Sequence, residues 1–199
     1  MKTYLLASFL FPPALLQAEP ALKLELDGPS EPVKISPEAL AQAATLPEAA
    51  KELERLQNQP EPDMEAFSRA EKALEKGRSL KQDVALKLRF TNTGKEPVEL
   101  QYGPDVSRNH LTVEGPGAVA LPFMGATTME FRMPPVTSIG AGETKEFTIN
   151  GLAYGTRDLS RWLVSKPGTY TATLKFTTTI KEEQVELTSN KVTFEVKAE

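Results

Sequence analysis

The side chain best suited to acid–base or metal chemistry occurs once, as His110 in the stretch SRNHLTV. A serine–histidine–aspartate triad needs a nucleophile and an orienting carboxylate held against the imidazole. A zinc site draws on several histidine and cysteine ligands. With one histidine and no cysteine, the chain lacks the usual zinc set and any thiol nucleophile. His110 therefore reads as a surface histidine at a strand start, and neither a metal nor a cofactor is expected. Serine and threonine are frequent, yet none stands in a nucleophile-elbow pattern. GAGETKEF (140–147) has two glycines but leads into a strand, so it is no phosphate cradle.

Carboxylates crowd one region: Glu48, Glu52, Glu54, Glu61, Asp63, Glu65, Glu71 and Glu75. Glycoside hydrolysis would need two of them facing each other across a cleft. Their spacing puts them on solvated helix faces instead, which makes a charged surface the better reading. A calcium loop needs clustered Asp and Asn. DGPSEP (27–32) and GPDVSRN (103–109) are too sparse and read as turns.

Apolar side chains outside any periodic pattern are the other chemical signal. ALPFMGATTMEFRMPP (120–135) holds Phe123, Met124, Met129, Phe131 and Met133. The last three alternate with Glu130 and Arg132 and are assigned to the core. Phe123 and Met124 break the alternation. They are the candidates for contact with a partner, since methionine adapts to binding surfaces and exposed apolar patches mark them.

The elements that position these residues follow from periodicity. Lys2, the apolar run Tyr4–Phe11, the Pro12-Pro13 stop and Ala18 fit a signal peptide over 1–18. That run is too short to span a bilayer. The mature chain, 19–199, is then exported, to the periplasm or beyond, and without cysteine it is held by core packing alone. The net charge of −4, with no run of Lys or Arg longer than two, argues against nucleic acid.

Leu22, Leu24 and Leu26 alternate with Lys23 and Glu25 as a half-buried strand. Between about 36 and 78 the composition turns to Ala, Glu, Lys and Leu, which predicts a helical hairpin with a short helix before it. Ser36-Pro37 is an N-cap with proline at the first helical position. Thr45 and Glu48 fit a capping box that starts the next helix. Asp63 caps a further one, whose inner face carries Phe67, Ala70 and Leu74, and Gly77 fits the residue just past its end.

From residue 80 the period is two. Val84, Leu86, Leu88 and Phe90 face inward, as do Val98, Leu100 and Tyr102, Leu111 and Val113, and Phe147 and Ile149. TRDLSRWLV (156–164) reads as a helical turn crossing between sheets, with Leu159, Trp162 and Leu163 packing down. Val185 and Leu187 are inward on odd numbers, whereas Val192, Phe194 and Val196 are inward on even ones. A one-residue slip flips every side chain, so a bulge or kink is predicted near Ser189-Asn190. Short alternating strands bounded by turn residues signal an antiparallel sandwich. Tyr170, just after Pro167-Gly168, stands where the structural corner tyrosine of immunoglobulin-like sandwiches opens a central strand.

ALKLELD, VALKLRFTNTGKEPVELQYG, LTVEGPG, SIGAGETKEF, INGLAYGTRDLSRW, KPGTYTATLKF and LTSNKVTFEV occur in that order. Together they resemble a family of exported bacterial immunoglobulin-like proteins, familiar from planctomycetes and verrucomicrobia, for which no activity is established. The resemblance covers roughly 80–199 and the strand at 21–26. It implies an immunoglobulin-like sandwich with the helical hairpin inserted after the first strand, and it transfers no site residues. The reading is a mainly-β, non-enzymatic binding or scaffold module that recognises a protein or cell-envelope component. Alternatives are a protease-inhibitor-like sandwich and a carboxylate-dependent hydrolase.

Overall fold

The computed structural model describes residues 21–102, 108–121, 123, 135–155 and 159–199. In chain order its elements are β1 (Leu22–Asp27), β2 (Val33–Ile35), α1 (Pro37–Gln57), α2 (Met64–Arg78), β3 (Leu86–Asn92), β4 (Val98–Gln101) and β5 (Arg108–Glu114). They continue as β6 (Ala118–Leu121), β7 (Val136–Ile139), β8 (Thr144–Ile149), β9 (Ala153–Tyr154), β10 (Ser160–Val164), β11 (Gly168–Ile180), β12 (Glu183–Thr188) and β13 (Val192–Ala198).

One layer is the antiparallel sheet β1–β3–β8. The other is built on β11, which pairs with β5, β12 and β13, while β2 runs parallel to β13. The N-terminal strand thus serves both layers: β1 pairs with β3, the chain turns, and β2 joins the opposite sheet. β4 and β7 pair with each other. The alternating residues of both layers meet in one core. Leu22, Leu24, Leu26, Leu86, Leu88 and Phe90 face Leu111, Val113, Tyr170, Ala172, Leu174 and Phe176. Phe90 and Phe176 meet at its centre, with ring centroids 4.8 Å apart at 60°. Fully burying each such side chain is worth about 1.5–3 kcal/mol. This is the immunoglobulin-like sandwich, with its helical hairpin between β2 and β3.

The parity change has the expected cause. β11 pairs with β12 from Ile180↔Glu183 to Lys175↔Thr188, and with β13 from Ala172↔Val192 to Gly168↔Val196. Thr173 and Leu174 therefore lie opposite Ser189, Asn190 and Lys191. That is a bulge of one extra residue, and it returns Phe194 and Val196 to the core.

Tyr170 is fully buried, and its hydroxyl donates to the Lys166 carbonyl at 2.6 Å, four residues back. Gly115 lies flat against its ring, where an added Cβ would stand 2.2 Å from Cδ1. The VEGPG turn therefore seats the corner. Ser165 closes the contact, its N–H and Oγ both donating to the Gly117 carbonyl, at 2.8 and 3.0 Å.

Three expectations are corrected. Ser160–Val164 is the strand β10, paired with β6 and β9, and no helical turn. Leu163 packs toward the helices and Val164 toward the sandwich core, both fully buried. A strand covered on both faces loses its alternation, so its apolar spacing imitates a helix. Second, α1 is one helix of 21 residues that runs through Pro47, with no short helix before the hairpin. Ser36 caps it, Oγ accepting from the Ala39 N–H at 3.2 Å, whereas Thr45 only donates to the Gln42 carbonyl. Proline removes one helical hydrogen bond, but Leu40, Ala43 and Leu46 before it and Leu53 and Leu56 after it are all buried. Packing on both sides of Pro47 holds the axis together. Third, Gly77 lies inside α2, and Ser79 is the C-cap. An added Cβ at Gly77 would meet the Leu46 methyls at 2.6 and 2.7 Å, so the glycine lets the two helices approach closely.

The hairpin docks on the sandwich. Ala43, Leu46 and Leu53 of α1 and Ala70 and Leu74 of α2 share a second core with Val119 and Leu121 of β6 and Leu163 of β10. Asp63 caps α2 as expected, Oδ1 accepting from the N–H groups of Glu65 and Ala66 at 2.9 and 3.1 Å.

Candidate binding face

Phe123 is half-buried and anchored at its backbone, its N–H donating to Ser160 Oγ at 3.2 Å. The guanidinium of Arg78, the last residue of α2, stands 5.7 Å above the centre of its ring, within cation–π reach. Met124 lies outside the described residues, as do Met129, Phe131 and Met133. Of the two candidate contact residues, the fold therefore places Phe123, at the C-terminal end of α2. Tyr170 lies in the core and has a structural role.

The end of α2 is fixed to the sandwich by Arg161 of β10. Its Nη1 donates to the carbonyls of Arg78 and Leu80, both at 3.1 Å. A cation at a helix C-terminus is favoured both by the orphan carbonyls and by the helix dipole.

Between the helices runs a groove of about 660 Å³ lined by Leu53, Gln57, Phe67, Glu71, Leu74, Glu75 and Arg78. Leu53 and Leu74 beneath it are buried and Phe67 is half-buried, so Gln57, Glu71, Glu75 and Arg78 make its lining mainly polar. One turn before Phe67 stands Met64, 66 % exposed and one of two large apolar side chains so displayed among the described residues. Glu71 and Glu75 form the acidic rim. Other carboxylates of the hairpin are engaged: Glu48 with Lys51 at 2.9 Å, Glu52 with Arg55 at 2.7 Å and Glu65 with Arg69 at 3.9 Å. The sequence reading identified Phe67 and Leu74 as an inner face and missed Met64. The spacing 64–67–71–74 is a sustained helical stripe, and its exposed first member was the available signal.

Two further clefts have mixed linings. One of about 550 Å³ lies beside Asp27, Glu31, Lys34, Asp83 and Lys87, and one of about 620 Å³ lies between β1 and β12. In the first, Asp27 accepts from Arg89 Nη2 at 2.9 Å.

The titration shifts have local causes. Lys23, Arg55, Lys181 and Lys191 donate to Glu25, Glu52, Glu96 and Glu114 respectively, and each bond lowers the pKa of that carboxylate. The Ala66 and Glu65 N–H groups hold Asp63 down in the same way. Burial pushes the phenols of Tyr154 and Tyr170 up. His110 is exposed, its ring 6.1 Å from that of Tyr154 at 85°. Among the described residues no three His, Cys, Asp or Glu side chains converge as for a metal ion, and no helix is long and apolar enough to cross a membrane.

No family model and no curated protein matches the chain. Among solved structures it is similar to the cupredoxin domain of amoB from Nitrosocaldus yellowstonii, at a TM-score of 0.33 and 15% identity, over 91% of this chain and 90% of that one. The described residues form a mainly-β sandwich with a helical hairpin docked on it.

Proposed function

We propose that the chain is an exported, non-catalytic binding module that recognises a protein or cell-envelope component along its helical hairpin. The observation that carries this reading is the groove between α1 and α2 that Phe67 and Arg78 line, together with Met64 exposed one turn before Phe67 and Phe123 under the Arg78 guanidinium. Apolar surface displayed beside polar rims is typical of interaction sites. The leader-like N-terminus, with Lys2, the Tyr4–Phe11 run and Ala18, supports export.

The test is capture from a cell-envelope extract by the mature chain, in parallel with Met64→Asp and Phe123→Ala. Met64 is exposed, so its substitution leaves the fold intact. The expected result is a defined captured component that either substitution releases. Capture indifferent to both substitutions, or turnover of a substrate in a hydrolase panel, refutes the proposal.

A further inference from the structure

Away from the hairpin, the sandwich leaves the outer edge of β8 open. Among the described residues β8 pairs with β3 alone. The Asn92 N–H donates to the Glu143 carbonyl at 3.0 Å. By the alternation of an antiparallel ladder, Lys145, Phe147 and Ile149 then turn their main-chain groups toward β3 as well, and Glu146 and Thr148 turn theirs away. Glu146 and Thr148 are exposed, and their outward N–H and C=O groups have no partner among the described residues. Such a row is complementary to an added strand. We propose that this strand is β8 of a second copy of the chain, run antiparallel, so that the sheets β1–β3–β8 of two copies join into one.

The side chains of β8, TKEFTI, select the register. Directly opposite residues share a sheet face, so a twofold axis through a continuous sheet passes through a residue position and not between two. An axis at Lys145 or at Glu146 sets like charges opposite each other, which destabilises the pairing. An axis at Thr148 shortens the overlap within the strand to 147–149. An axis at Phe147 avoids both faults and pairs residues 145–149 of each copy. Glu146 of one copy then faces Thr148 of the other, and each such pair exchanges both of its N–H···O=C bonds. Lys145 meets Ile149, which its aliphatic stem covers while the ammonium stays in water. The two Phe147 rings meet at the axis. Phe147 is half-buried, its ring centroid 5.7 Å from that of Phe90 and 4.3 Å from that of Tyr102. The second copy covers the part left open, and aromatic neighbours across strands are a favourable pair.

Sedimentation equilibrium of the full mature chain is the test. The mass should double as concentration rises. Thr148→Pro removes an N–H that β3 does not use, which an edge strand tolerates. It should weaken the dimer at least about tenfold, with far-ultraviolet circular dichroism unchanged. The chain has no cysteine, so engineered disulfides report the register. Hydrogen-bonded partners lie about 5.5 Å apart at Cα, within disulfide reach. An oxidised mixture of Glu146→Cys and Thr148→Cys chains should give covalent dimers with one of each, and either variant alone should give none. Lys145→Cys mixed with Thr148→Cys, on opposite faces, should stay uncrosslinked. A chain that is monomeric at every concentration, a dimer indifferent to Thr148→Pro, or crosslinks in a single variant overturns the proposal. Met64→Asp should leave this dimer intact, so the hairpin reading and this one fail separately. A dimer that Met64→Asp abolishes overturns the β8 interface.

Discussion

Asn190 pairs with Leu26 as a neighbouring strand would. Its Oδ1 accepts from the Leu26 N–H at 2.8 Å and its Nδ2 donates to the Leu26 carbonyl at 2.9 Å. The bulge that corrects the parity of β13 thereby ties the outer edge of β1 to the opposite sheet. Gln82 does the same for β10, donating to the Val164 carbonyl and accepting from its N–H, both at 2.7 Å. In each case one side-chain amide supplies the donor and acceptor that a missing strand would have provided.

Replacing these amides should cost different amounts. Asn190→Ala loses two partly solvated hydrogen bonds, about 1–2 kcal/mol at the usual net value per bond. Gln82 is 4 % exposed and Val164 fully buried, so Gln82→Ala orphans two buried groups at about 1–3 kcal/mol each. Denaturant unfolding gives both values. A smaller loss for Gln82→Ala than for Asn190→Ala contradicts the assignment.

The corner tyrosine carries a pH signature. Burial raises the Tyr170 phenol above its ordinary value, and its bonds to the backbone only partly offset this. A folded pKa above the unfolded one means stabilisation that is complete below about pH 10 and is lost as pH rises through the folded value. Tyr170→Phe should cost about 1–3 kcal/mol at neutral pH. The gap between wild type and variant should narrow in alkali, as followed by urea unfolding at several pH values. A constant gap into strong alkali rules out the buried phenol as its source.

Gly115→Ala tests the seat of that corner. The new methyl would lie 2.2 to 2.8 Å from three ring atoms of Tyr170, and a fully buried ring has nowhere to go. Overpacking of this kind costs about 1–3 kcal/mol or more. At Gly28 the nearest atom would be 3.5 Å away, so Gly28→Ala should be nearly silent. Thermal melts of the two variants should separate clearly, and similar midpoints would show that the turn yields.

Leu53→Ala tests whether the hairpin shares the fold's cooperativity. Leu53 is 3 % exposed in the second core, beside Leu74 and near β6 and β10. The expected loss is about 2–5 kcal/mol. Helical circular dichroism and Trp162 fluorescence should melt together at a lower temperature. A helical signal that melts early and alone would mark an independent arm.

The parity argument worked because β12 and β13 each bury one face. Val185 and Leu187 against Phe194 and Val196 left a one-residue discrepancy that only a bulge accommodates. The same logic failed at β10, where Leu163 and Val164 are both covered and alternation vanishes. It failed at Pro47 and Gly77 for a different reason. A helix breaker predicts an end only when packing does not override it, and Leu46 is the side chain packed beside both. At the candidate face, Phe123 stands out in the sequence because it interrupts a pattern. The groove does not, because its walls come from two helices whose relative position no local spacing encodes.

Period and punctuation along the chain were sufficient for the sandwich class, the capped helices, the corner at Tyr170 and the bulge after Thr188. Each depends on neighbours within a few residues, and one-sided burial imprints them directly as alternation. Tertiary structure alone decided that α1 continues through Pro47, that the hairpin lies on β6 and β10, and that Gln82 and Asn190 complete strand edges. Those amides reach Val164 and Leu26 across 82 and 164 positions. A contact so distant in sequence leaves no periodic trace, so its donor and acceptor meet only once the core has set the sheets in place.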